Sequence, residues 1–178
     1  MTKYRFPSVA AAFAASAARG PGRVFLHVLP ETAAAYGIAA GDITYGAAAE
    51  AIARLRDAYA NAGYGRGHRV GLMLENRPAF FLHWFALNGL GISVVPLSTE
   101  LRPAERDYLV GHSEIALAVL ARGLRPDLAC PTMEEGAPPP PAPTRRDASP
   151  PPDEATECGL LYTSGTTGRP KGCVLSNR

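Results

Sequence analysis

Between residues 70 and 120 three short apolar runs alternate with two helical patterns, and this alternation limits the fold more than any other feature of the chain. The runs are Val70 to Leu74, Ile92 to Val95 and Ile115 to Leu120. Between the first two, Asn76 reads as a helix cap, with Pro78 in the first turn and Phe81, Trp84, Phe85 and Leu87 along the body. Between the last two, Pro103 opens a helix that runs to about His112. Strands separated by whole helices pair in parallel through right-handed crossovers. The expected fold is therefore α/β: a doubly wound, mainly parallel sheet with flanking helices. Phe81, Trp84 and Phe85 are expected to pack against that sheet.

The N-terminal third reads as helix and strand. Lys3 and Arg5 ahead of the alanine-rich stretch 9–18 give a faint signal-peptide pattern. A helix fits better, because Ser8 can cap it, Val9, Phe13 and Ala17 share a face, and Arg19-Gly20 supplies a stop. Strands are expected from Val24 to Leu29 and, after Gly41-Asp42, over Ile43 to Tyr45; the stretch 30–40 between them is ambiguous. Ala47 to Ala62 is a helix with Ile52, Leu55 and Tyr59 on one stripe, ended by Gly63.

Composition excludes several classes. At 178 residues the chain can hold a core, and a net charge of +2 argues for neither nucleic acid nor an anionic membrane. Three cysteines without CxxC spacing and four scattered histidines suggest no disulfide framework and no metal site. No apolar run is long enough to cross a membrane, and a cytoplasmic location is expected. The glycines of Gly63-Tyr64-Gly65-Arg66-Gly67 follow a helix and precede a strand, the reverse of the order in a dinucleotide loop. Residues 136–152 hold eight prolines in seventeen positions, which reads as a solvated loop between two core strands.

The chemistry is concentrated near the C-terminus. Thr163-Ser164-Gly165-Thr166-Thr167-Gly168-Arg169-Pro170-Lys171-Gly172 combines four hydroxyls, three glycines and a lysine, directly after the apolar run Cys158 to Tyr162. Glycines let a backbone turn its N–H groups onto oxyanions. Hydroxyls add short donors, and lysine adds a compact counter-charge. This mixture suits a polyphosphate held at a strand end. A Walker A loop is excluded, because Pro170 precedes Lys171 and Gly172 follows it. A plain surface turn would need neither four hydroxyls nor the Pro170-Lys171 pair.

The same run resembles the phosphate-binding signature of AMP-forming adenylating enzymes: acyl-CoA synthetases, luciferases and the adenylation domains of peptide synthetases. Weaker likeness extends over Ile43-Thr44-Tyr45, Gly67 to Leu72, Glu75-Asn76-Arg77-Pro78 and Val94 to Leu97. His68 stands where family members usually carry Asp, and alanines follow Tyr45 where they usually carry a Glu-Leu pair. The resemblance implies that Thr163, Ser164, Gly165, Thr166, Thr167, Gly168 and Lys171 surround the β- and γ-phosphates of ATP. It implies an ATP-dependent acyl-CoA ligase using Mg²⁺ and CoA on a small-molecule carboxylate. Carrier-protein loading, or nucleotide binding without catalysis, are the alternatives.

By the same resemblance, residues 1–178 are the N-terminal portion of the AMP-binding domain. Catalytic and metal-binding residues are then expected beyond Arg178, and the isolated span is expected to be inactive. Val174 to Arg178 reads as the start of the next helix, with Ser176 as its cap, and Cys173 as a packed core residue.

Overall fold

The structure, a computed structural model, describes residues 6–146, 149–163 and 170–178. Helix α1 (Val9–Arg19) begins where expected: the Ser8 side chain accepts from the Ala11 N–H at 3.1 Å. Strand β1 (Val24–Val28) leads into α2 (Pro30–Tyr36), which resolves the ambiguous stretch as a short helix with proline at its start. Strand β2 (Gly41–Thr44) then pairs antiparallel with β1 in a separate two-stranded sheet. Thr44 caps α3 (Tyr45–Asn61), its hydroxyl accepting from the Ala47 N–H at 3.2 Å.

The main sheet follows from the alternation. Its elements are β3 (Arg69–Met73), α4 (Pro78–Gly89), β4 (Ser93–Pro96), α5 (Pro103–Ser113) and β5 (Leu117–Leu120). Three more strands, β6 (Thr132–Glu134), β7 (Glu157–Thr163) and β8 (Lys171–Ser176), complete an order of β6-β5-β3-β4-β7-β8. The first five are parallel to their neighbours, and β8 runs antiparallel to β7. β4 is added on one side of β3 and β5 on the other, so the winding reverses after β4 and puts α4 and α5 on opposite faces.

Strand alternation feeds two cores. Val70, Leu72, Val94, Leu117 and Val119 meet Leu55, Tyr59 and Leu87 of α3 and α4. Met73, Val95, Ala118 and Leu120 point the other way, onto Leu109 and Val110 of α5. The sheet is thus covered on both faces, as buried parallel strands require. Each such side chain, fully buried, contributes about 1.5–3 kcal/mol.

Several expectations need correction. The N-cap of α4 is Arg77, without a side-chain cap bond, because Pro78 sits at the first helical position and fixes the boundary. Phe85 stacks on Phe13 of α1 at 4.6 Å, in an aromatic cluster with Phe25 and Tyr45 outside the sheet. The proline-rich stretch is more than a solvated loop. Parallel strands β6 and β7 need a crossover, and this segment provides it in place of a helix. Backbone N–H groups of Ala142 and Arg146 donate to Ala62 and Gly63 at 2.8 and 2.9 Å, and Ala142 packs on the first core.

Candidate functional site

The glycine- and hydroxyl-rich run is the connection between β7 and β8. Gly159 pairs with Val94 and seats β7 beside β4; from there β7 runs on past the C-terminal edge of the parallel sheet. The two strands close on one another with Tyr162 opposite Gly172 and Thr163 opposite Lys171. Lys171 and Thr163 are therefore cross-strand partners at the mouth of a hairpin, both exposed. Of the seven residues implied to hold phosphate, these two are placed and brought together. Ser164, Gly165, Thr166, Thr167 and Gly168 lie outside the described residues.

Residues 171–176 form β8 and not the expected start of a helix. Cys173, Val174 and Leu175 suit a strand as well as a helix, and hydrogen bonding to β7 decides between them. Ser176 pairs with Glu157 and caps nothing. Cys173 is exposed, because β8 is the outermost strand and no layer among the described residues covers it.

Side chains fasten β7 to the sheet. Buried Asn88 on α4 donates to the Cys158 carbonyl at 2.9 Å and to the Ile92 carbonyl at 3.0 Å. Arg69 on β3 reaches across β4 to Glu157 through two bonds of 2.8 and 3.1 Å. Glu157 titrates below the usual carboxylate range: partial burial opposes ionisation, and the two bonds from Arg69 outweigh it. At the hairpin's feet the Tyr162 hydroxyl shares a 2.7 Å hydrogen bond with His112 Nδ1, and the Tyr108 hydroxyl donates to the Pro170 carbonyl at 3.4 Å. Burial raises the Tyr162 hydroxyl above the ordinary tyrosine range, so it stays protonated.

The same edge of the sheet carries a cleft of about 530 Å³ past the ends of β3 and β4, lined by Leu72, Glu75, Phe80, Phe81, Pro96 and Thr99. Glu75 holds a positive φ of 52°, unusual for a side-chain-bearing residue. Its carboxylate is held by Thr99 at 3.1 Å and Arg77 at 3.4 Å. Arg77 also donates to the Tyr36 carbonyl at 2.9 Å and lies 4.4 Å over that ring. In the sequence Arg77 stands out only within the Glu75-Asn76-Arg77-Pro78 likeness, and nothing local announces its ties to Tyr36 of α2 and to Glu75. Among the described residues no three His, Cys, Asp or Glu side chains converge as a metal site.

The sequence pattern of the family described as AMP-binding enzyme matches residues 13–178. The chain belongs to that family. It is 28% identical over 157 residues to crotonobetaine/carnitine–CoA ligase of Salmonella heidelberg, an alignment covering 75% of this chain and 30% of that protein. It is 29% identical over 177 residues to pyochelin synthetase PchF of Pseudomonas aeruginosa, covering 96% of this chain and 9% of that one. The chain thus spans less than a third of the length of these curated relatives.

Solved structures share the fold. The N-terminal subdomain of Klebsiella oxytoca NpsA, in complex with 3-hydroxybenzoyl-AMSN, superposes with a TM-score of 0.76 at 20% identity, covering 97% of this chain and 41% of that one. O-succinylbenzoate Coenzyme A synthetase (MenE) from Bacillus subtilis, in complex with AMP, gives 0.72 at 20% identity, over 92% of this chain and 41% of that one.

Proposed function

We propose that residues 1–178 are the N-terminal portion of the AMP-binding domain of an ATP-dependent, AMP-forming acyl-CoA ligase. The observation that carries this reading is the hairpin mouth. Thr163 and Lys171 face one another past the C-terminal edge of a parallel sheet, at the two ends of the signature run. In the reaction a substrate carboxylate oxygen attacks the α-phosphorus of ATP. The bond to the pyrophosphate oxygen breaks, leaving acyl-adenylate and pyrophosphate. The thiolate of CoA then attacks the acyl carbon, and AMP departs.

Lys171 and the loop's hydroxyl and amide donors hold the β- and γ-phosphates and stabilise the charge that gathers on departing pyrophosphate. Thr163 adds a donor beside the lysine. Mg²⁺ travels with ATP and neutralises part of its charge. The nucleophile belongs to the substrate, so this span needs no catalytic serine or cysteine. The acyl pocket, the acidic metal site and the remaining catalytic groups lie on chain beyond Arg178. No helix among the described residues is long and apolar enough to cross a membrane. Action in the cytoplasm, on small carboxylates, completes the proposal.

A second reading is favoured by the alignment with pyochelin synthetase PchF, which spans 96% of this chain. Here the same scaffold would load a carrier protein, with a phosphopantetheine thiol as acceptor. The intact protein, given ATP and a carboxylate panel, should release AMP and pyrophosphate and form a thioester with one acceptor. CoA thioester supports the ligase, and carrier-protein thioester the second reading. Nucleotide binding without AMP release under any condition would contradict both.

A further inference from the structure

The feet of the hairpin are gripped from below by one helix. Helix α5 presents Tyr108 and His112 one turn apart, their rings 5.2 Å between centroids, and Tyr162 of β7 meets His112 edge-on at 5.8 Å. One hydrogen bond falls on β7 and the other on the residue that precedes β8. His112 bonds Tyr162, the residue before Thr163, and Tyr108 bonds the carbonyl of Pro170, the residue before Lys171. Gly172 makes room for this. A Cβ there would lie 3.3 Å from Tyr162 Cζ and 3.0 Å from Leu160 Cδ1, so a side chain would require the ring or the leucine methyl to give by a few tenths of an ångström.

We propose that Tyr108, His112 and Tyr162 form a positioning brace that sets the spacing and height of the Thr163–Lys171 mouth against the sheet. None of the three need touch the nucleotide. They act through the hairpin's feet, and Gly172 is there to admit the Tyr162 ring. This rests on the reading that the hairpin holds ATP phosphates. An isolated antiparallel pair twists freely, and β8 has a neighbour on one side only. Tyr108 and His112 supply the fixed point that a missing neighbour would otherwise give.

The test is a double-mutant cycle on the intact protein. His112→Ala and Tyr162→Phe should each raise the KM for ATP in carboxylate-dependent pyrophosphate exchange by about fivefold, the loss of one ordinary hydrogen bond. The KM for the carboxylate should be unchanged. The double variant should be no worse than either single, since both remove one bond. His112→Asn, whose amide can replace Nδ1, should restore most of the loss. Tyr108→Phe and Tyr162→Phe each delete a single oxygen and keep the ring, so they report on the brace should His112→Ala fail to fold.

Trypsin cleavage after Lys171 gives a readout without catalysis, and should quicken in each brace variant by a similar factor. Unchanged ATP KM and unchanged cleavage in the variants would overturn the brace, as would losses that add independently. Absence of exchange in the unmodified protein, with cleavage after Lys171 still sensitive to His112→Ala, would remove the functional reading and leave the brace standing.

Discussion

His68 stands at the turn into β3 and acts there through one ring nitrogen. Its Nδ1 accepts the Gly65 N–H at 3.2 Å and closes the turn into β3. Burial, with the Arg146 charge nearby, holds it below the ordinary histidine range, which suits an acceptor nitrogen. His83 is buried more deeply. Its Nδ1 bonds the Tyr59 hydroxyl at 2.7 Å, and burial lowers its pKa from the ordinary 6.5 to about 4. The unfolded chain therefore binds the His83 proton first as pH falls. The intact protein should lose up to about 3 kcal/mol of stability between pH 6.5 and 4, and none from this group above 6.5. Urea denaturation across that range should show a shallower slope for His83→Gln. Equal slopes would place the acid sensitivity elsewhere.

Lys171 matters for another reason. The chain carries two lysines, Lys3 and Lys171, and otherwise uses arginine. A compact ammonium at the hairpin mouth suits a point contact with phosphate. Charge-assisted bonds contribute about 1.5–3 kcal/mol and neutral ones about 1. Lys171→Ala should slow pyrophosphate exchange by roughly 10- to 100-fold, and Thr166→Ala by about fivefold. Equal, small losses would show that Lys171 points to solvent.

At the level of elements, legibility followed the range of the interactions. Strands β3 to β5 and helices α3 to α5 were readable because periodicity is local, although the cap of α4 falls at Arg77 and not at Asn76. β6 has three residues and exists by pairing with β5, so no local pattern announced it. β8 was misread because Cys173-Val174-Leu175 is apolar in either state, and only its ladder with β7 makes it a strand. The attachment of β7 was also invisible, since it depends on side chains far apart in sequence. Asn88→Ala would leave the Cys158 and Ile92 carbonyls without a donor in a buried site, and should cost about 2–4 kcal/mol. Arg69→Ala, at a pair that is partly exposed, should cost about 1 kcal/mol. Chemical denaturation of both variants orders them; a larger loss for Arg69→Ala would show that the ion pair, and not the amide, seats the strand.

Over the whole molecule, the two faces of the sheet are finished around β3 and β5 and unfinished at β8. All six residues of β8 are exposed, Val174 at 56% and Leu175 at 37%, and beside them Leu161 is 41% exposed. An open apolar edge strand templates association. Residues 1–178 expressed alone should therefore aggregate or melt without cooperativity, and a sharp monomer peak with a cooperative transition would refute this.

The central claim, that the hairpin serves AMP-forming activation of a carboxylate, is tested most directly by isotope exchange between pyrophosphate and ATP in the intact protein. The account predicts exchange that requires one class of carboxylate and falls at least tenfold in Lys171→Ala. Exchange that ignores the carboxylate, or is indifferent to Lys171, would contradict it.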